Sequence, residues 1–352
     1  MRPDDATLRT VLAAGILAPS AENKHHLLFR LVEGAVELLT TDQGSWAERP
    51  HRRLLCMMAL GAVIENVALE SRTAGLELVA DTRGEASRPE LVARLTWLPT
   101  RAPPDPLRER LASRHTNRRF FAREVCAPAT LERLAAAAAA VDGCSVMWLA
   151  TAPQRRLALR AIRIAETERF RRPALHDELF GAVRFELGWK QPSEEWLAPA
   201  ALEVEPPMRL PFAAMRRWPL MQAANLVGAH HAFGLRAGYL PSAGAPHLGL
   251  IVAAGPDARA RDLAAGRAFQ RLWLAADAHG LALQPMAAAT ALARQVPGGG
   301  WVSQRAQDDI RQALDQLTPG PDAEPCMFFR LGRAAPPSAR ALRRPVEAYI
   351  TR

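Results

Sequence analysis

Long apolar runs, clustered cysteines and lysine-rich tracts are what this 352-residue sequence lacks. No stretch approaches the ~20 uninterrupted apolar residues of a membrane span. The opening Met1-Arg2-Pro3-Asp4-Asp5 has no apolar signal core, so a soluble, cytoplasmic protein is expected, with no membrane partner. The four cysteines, Cys56, Cys126, Cys144 and Cys326, lie far apart and make neither a C-x-x-C pair nor a spaced metal set, which reads as reduced thiols. Lysine is scarce. The 45 Lys+Arg against 36 Asp+Glu are nearly all arginines scattered among Ala, Leu and Pro, without the basic, aromatic-interleaved stripe of a nucleic-acid binder.

What is there is globular: 49% hydrophobic and 23% charged residues, enough for a substantial core. A repeat organises it. Residues 54–76 and 259–281 each read as a helix with apolar residues at three-and-four spacing, a glycine in mid-helix and a closing Gly-Leu. Gly61 and Gly75 match Gly266 and Gly280, with Leu69 matching Leu274. Gly75 and Gly280 suit helix ends. Gly61 and Gly266 do not, and at a cost of about 1 kcal/mol against Ala they imply close approach by another backbone or a flat ligand. Strand-like runs precede each helix (27–32 and 36–39; 248–253) and follow it (92–98; 326–331).

An α+β fold of two halves follows, with residues 1–106 as the first and 107–352 as the second, divided at the Pro-rich stretch 100–106. Residues 185–225 break periodicity with several prolines and tryptophans and read as a lid-like insertion. Residues 334–352 read as a C-terminal arm.

Three segments carry candidate chemistry. Pro19-Ser20-Ala21-Glu22-Asn23 follows the first helix as a turn whose short polar side chains suit a planar heterocycle. In Arg114-His115-Thr116-Asn117-Arg118, alternation points Arg114, Thr116 and Arg118 the same way in an extended chain, as an anion or phosphate requires. Arg340, Arg343 and Arg344 precede Pro345 and a strand-like end. Adjacent pairs His25-His26 and His230-His231 diverge too much to chelate one ion, so no metal is expected.

In this order, the Pro-Ser-x-x-Asn turn, Arg114 to Phe121, Ala265 to Arg271 and Arg343-Arg344-Pro345-Val346 resemble the nitroreductase superfamily of FMN proteins. Within it, the chain looks like the tandem single-chain branch typified by the Acg family of mycobacteria. The resemblance is weakest across residues 150–240. It implies a nitroreductase-like fold in which the two fused halves form a pseudo-dimer, standing for the intertwined homodimer usual in the family. The first half holds the turn, the second the Arg-x-Thr-x-Arg segment and basic end, so one site is completed and its symmetry mate is dead.

By that resemblance, Arg114, Arg118 and Arg343 bind the FMN phosphate, helped by Arg340 or Arg344. Thr116 bonds a ribityl or ring oxygen, and Pro19, Ser20 and Asn23 line the isoalloxazine. Pro285, Met286 and Ala287 pass beside flavin N5. Two departures stand out: the Glu-Gly that often follows that proline is absent, and His25-His26-Leu27 replaces Gln-Pro-Trp. The implied activity is hydride transfer from NAD(P)H through FMN to a small acceptor such as a nitroaromatic or quinone. The alternative is an FMN-sequestering protein with little turnover. Internal duplication allows a monomer as well as a homodimer.

Overall fold

The computed structural model describes residues 2–255, 257–294, 300–318, 320 and 323–351. Asp4 accepts hydrogen bonds from the Ala6 and Thr7 amides and so starts helix α1 (Asp5–Ile16). A hairpin turning at Gly34 (φ +70°) joins β1 (Leu27–Val32) to β2 (Ala35–Thr40). Pro50 opens α2 (Pro50–Ser71), and Gly75 in the left-handed conformation (φ +68°) ends the turn that follows it. The chain then returns through β3 (Leu76–Asp81) and β4 (Leu91–Pro99).

The second half repeats this plan with additions. Helix α3 (Pro128–Ala139) and β5 (Cys144–Trp148) lead into a helical excursion: α4 (Ala152–Arg171), α5 (Pro173–Gly181), α6 (Arg209–Ala214), α7 (Trp218–Asn225), α8 (Ala229–Gly234) and α9 (Leu240–Ala243). Strand β6 (His247–Ala253) precedes α10 (Ala258–Ala278), which Asp257 caps and Gly280 (φ +66°) ends. Strand β7 (Ala282–Met286), helices α11 (Ala288–Ala293) and α12 (Gln304–Leu317) and β8 (Glu324–Gly332) complete it. Residues 185–225 are not structureless: short 3-10 turns, α6 and α7 lie there, packed with Phe170, Phe180 and Met221. Prolines in their first turns mask the helical period in the sequence.

The two sheets have the same order. The first runs β3-β4-β2-β1 and the second β7-β8-β6-β5, each neighbour pair antiparallel. Both the α+β class and the fused pair of halves are therefore present. The arm after β8 crosses back, and its strand β9 (Ile350–Thr351) pairs parallel with β1 through Phe29↔Ile350 and Arg30↔Thr351. Arg352 lies outside the described residues.

Helices α2 and α10 cross between the sheets, and their side chains join both cores. The stretch Pro50–Ala74 is long and apolar enough to span a membrane (mean hydropathy 1.6), but 83% of its most apolar window is buried inside the protein. Polar contacts across the crossing are reciprocal too: Gln270 Nε2 donates to Asn66 Oδ1 (2.7 Å), and Arg271 Nη1 donates to Glu65 Oε1 (2.8 Å).

Candidate functional site

Where α1 ends, its last carbonyls lack intrahelical partners, and this helix has no basic residue in its last turn. Distant arginines supply the donors. Arg343 Nε donates to the Ile16 carbonyl (2.9 Å) and Nη2 to that of Ala18 (3.0 Å), while Arg114 Nη2 donates to that of Leu17 (3.0 Å). Arg118 Nη1 donates to the Ala201 carbonyl (3.1 Å). Carbonyls satisfy hydrogen bonds but not charge. Among the described residues, none of these three guanidiniums pairs with a carboxylate, and the buried Arg114 Nε has no partner at all.

Buried cations without counter-ions are costly. Burial, and then the charge of Arg343, lower the Arg114 pKa to about 9. Burial and Arg169 lower that of Arg118 to about 10, and burial brings Arg343 to about 10. The chamber they surround, about 70 Å³, is lined by Arg114, Thr116, Arg118, Arg340 and Arg343 together with Ser20. An anion entering it would meet positive charge already in place.

This polar chamber adjoins a cavity of about 570 Å³. Pro19, Ser20, Glu22, Thr116, Arg118 and Leu197 line both. The extended segment bearing Arg114, Thr116 and Arg118 runs beside β7: Thr116 bridges to Leu283, and the Asn117 amide donates to the Leu283 carbonyl (3.1 Å). Arg114, Thr116 and Arg118 all line the polar chamber, and so does His115 between the first two. Pro285, Met286 and Ala287, at the end of β7, face the larger cavity, as do Gly266 and Trp273 of α10.

Two expected residues stand elsewhere. Asn23 borders the polar chamber rather than the broad cavity; its amide donates to the carbonyls of Ser193 (3.2 Å) and Trp196 (3.3 Å), and its oxygen accepts from Arg343 Nη1 (2.6 Å). It ties the turn to the 193–196 segment and to the arm. Arg344 lines neither chamber, facing Glu195 (3.7 Å) and the Tyr349 ring. The arm lies so that Arg343 faces the end of α1 and Arg344 faces outward.

The far wall was not legible in the sequence. Phe170 and Arg169 from α4, Glu178 from α5, Phe212 from α6 and Phe233 from α8 close over the cavity. A π-helical turn at Leu235–Tyr239 sets Arg236 and Ala237 into the same wall. On the α2 side, Arg52 binds Asp42 (3.0 Å) and Glu178 (2.8 Å), and His51 Nε2 bonds Glu178 (2.7 Å). Burial alone would raise the Glu178 pKa, but the His51 and Arg52 hydrogen bonds overcome it and lower it to about 2. No motif announces these groups, because they are gathered from α2 and from several separate helices of the excursion.

The turn itself is strained. Among the described residues, the non-glycine positions with positive φ are Glu22, Asn23, Trp196 and Glu203, and the first three line the polar chamber. Such conformations cost on the order of 1 kcal/mol or more each and gather at binding sites. His25 stays neutral there: burial and the Arg343 charge lower its pKa to about 3, while its ring bonds the Ala18 carbonyl (3.1 Å) and faces Ser20 Oγ (3.5 Å).

No family model matches the chain, and no curated protein matches it. Solved structures do. The FMN-dependent nitroreductase NfnB from Mycobacterium smegmatis, in complex with NADPH, is similar at 19% identity over 65% of this chain and 87% of that one, with a TM-score of 0.35. A nitroreductase with bound FMN from Desulfitobacterium hafniense DCB-2 is similar at 13% identity over 70% and 98%, TM-score 0.37. Another with bound FMN, from Bacteroides fragilis NCTC 9343, gives 13% over 66% and 89%, TM-score 0.33. Likeness this shallow decides neither architecture nor activity, so the functional reading rests on the two chambers.

Proposed function

We propose that this chain binds one FMN across its two halves and acts as an FMN-dependent oxidoreductase, passing hydride from NAD(P)H to a small acceptor such as a nitroaromatic or quinone. The carrying observation is a small chamber walled by arginines that pair with no carboxylate among the described residues, Arg114 buried and Arg118 and Arg343 half-buried, which opens into a broad, mostly apolar one. A phosphate at one end and a flat ring system at the other have those requirements in that arrangement.

In this reading Arg114, Arg118 and Arg343 hold the phosphate, with Arg340 at the rim. Thr116 and Ser20 offer hydroxyls at the junction, Pro19 borders the ring, and Pro285, Met286 and Ala287 present backbone along its edge. Arg344 and Asn23 act through other residues, Asn23 by fixing Arg343. When bound, the flavin supplies the hydride chemistry. The chain's own residues orient it, exclude water through the α4–α9 excursion and neutralise its phosphate. The two halves are not equivalent, because the Arg-x-Thr-x-Arg segment opens only the second; one site per chain follows.

A second reading, storage of FMN with little turnover, draws on the absence of Glu-Gly after Pro285 and on the helices closing over the cavity. The visible spectrum of freshly purified protein tests binding, and colourless protein that takes up no added FMN overturns both readings. Adding NADH or NADPH anaerobically then separates them: rapid bleaching supports the oxidoreductase, persistent colour the store.

A further inference from the structure

Glu22 occupies the junction of the two chambers, in the first of the two positions that the turn holds in an unfavourable backbone conformation (φ +57°, ψ 18°). That conformation aims a carboxyl at the ligand space where the sequence offered no reason for one. Its surroundings are what matter.

Every neighbouring cation is engaged elsewhere. On its own turn, Lys24 stands over the Trp196 ring, 3.9 Å from its centroid. From α2, Arg52 is held by Asp42 and Glu178. From α4, Arg169 Nη1 donates to both oxygens of Glu166 (3.3 and 3.0 Å). From α5, Glu178 adds a second negative charge, already bonded to His51 and Arg52. Burial lowers the pKa of both flanking imidazoles, His25 and His26, and His26 Nε2 accepts a hydrogen bond from Arg52 Nη2 (2.9 Å). Arg118, the remaining cation at the junction, donates to the Ala201 carbonyl and faces the polar chamber. Among the described residues, no hydrogen bond reaches the Glu22 side chain.

We propose that Glu22 is the proton-holding group of the cavity: its carboxyl takes up a proton when a flat ligand displaces water from the junction and then donates a hydrogen bond to that ligand. The proton comes from solvent, forming one O–H bond at Glu22 and leaving its buffer donor ionised. The physical ground is desolvation, which disfavours the charged form of a carboxyl with no counter-ion. Burial first and the Glu178 charge second already raise its pKa to about 7, with Arg169, Arg52 and Lys24 opposing. A ligand that expels the remaining water raises it further, so binding and protonation reinforce one another.

This inference rests on the flavin-binding reading and uses FMN as the probe. The dissociation constant is measured by quenching of flavin fluorescence between pH 7 and 8.5, for wild type and Glu22→Gln. Wild-type affinity is expected to fall about tenfold across that range, whereas Glu22→Gln, which keeps a hydrogen-bond donor but cannot ionise, stays flat within about twofold. Titration calorimetry of the wild type at pH 7.5 in two buffers of different ionisation enthalpy should show net proton uptake, an observation that needs no variant. Parallel pH profiles, or no proton uptake, overturn the role of Glu22 while leaving FMN binding intact. Failure of wild type to bind FMN at any pH overturns the binding reading and this inference with it.

Discussion

Gly61 and Gly266 exchange contacts across the centre of the molecule: a side chain on Gly61 would run into the Leu263 carbonyl, and one on Gly266 into the Met58 carbonyl. Met58 and Leu263 stand three positions before the two glycines, so each contact is the image of the other under exchange of the halves. The Gln270–Asn66 and Glu65–Arg271 bonds obey the same exchange. A two-fold relation internal to one chain is written in these pairs, and it sets the floor of the cavity, where Gly266 and Met58 both appear.

Gly61→Ala and Gly266→Ala should therefore cost similar amounts, each about 3 kcal/mol or more, because the obstacle is backbone that no rotamer can move. Urea denaturation measures it. Gly280→Ala serves as the comparison, since its left-handed φ costs about 1 kcal/mol with no neighbour in the way. A Gly61→Ala protein as stable as wild type would show that the helices do not meet here.

The repeat was legible because Gly in a helix is anomalous on local grounds alone, and the anomaly occurs twice at equal spacing. Arg114, Thr116 and Arg118 stood out through their charge and spacing, whereas the inward place of His115 between them did not follow from alternation. The α4–α9 wall was not, since its short helices begin at prolines and contribute single residues to the cavity. Nor did spacing show that Arg343 and Arg344 part company, which depends on how the arm lies against α1. Glu22 sat inside the quoted turn, but its isolation is a property of partners drawn from α2, α4 and α5.

Arg114→Met should abolish FMN retention and leave the fold intact, with stability of the ligand-free protein unchanged or raised. The guanidinium is buried over the Trp273 ring (4.5 Å to the centroid) without a counter-ion, so methionine keeps the packing and removes an uncompensated charge. Flavin absorbance per protein after gel filtration, together with a thermal melt, reads both effects. Retention equal to wild type would remove Arg114 from the phosphate site.

Acid should destabilise the protein in part through Glu37 of the first sheet. Hydrogen bonds from Arg88, against burial and with help from Arg30, lower the Glu37 pKa to about 2. A carboxyl whose folded pKa lies below its unfolded value contributes stability that is complete above about pH 4.5 and lost as the pH falls toward 2. Allowing for the partial exposure of both arginines, the loss is about 2 kcal/mol. Glu37→Gln should lower the urea midpoint at pH 7 and narrow its difference from pH 3; a variant with wild-type acid sensitivity would place that sensitivity elsewhere.

Asn23 is expected to govern the order of the 189–198 segment rather than to touch a ligand ring. Its amide holds the Ser193 and Trp196 carbonyls, and the Leu342 amide donates to the same Ser193 carbonyl (2.9 Å), so one side chain fastens the segment to both the turn and the arm. Its φ of +57° complicates a simple truncation, because alanine would add backbone strain to the lost bonds. Asn23→Gly relieves that strain and removes only the side chain. A lysine-specific protease reports the result cleanly, since the sequence offers it Lys24 and Lys190 and the second lies in the fastened segment. Both variants should be cut after Lys190 about fivefold faster than wild type, as local opening becomes easier. Faster cutting in Asn23→Ala alone would trace the effect to the backbone, and equal rates in all three proteins would show that the side chain holds nothing.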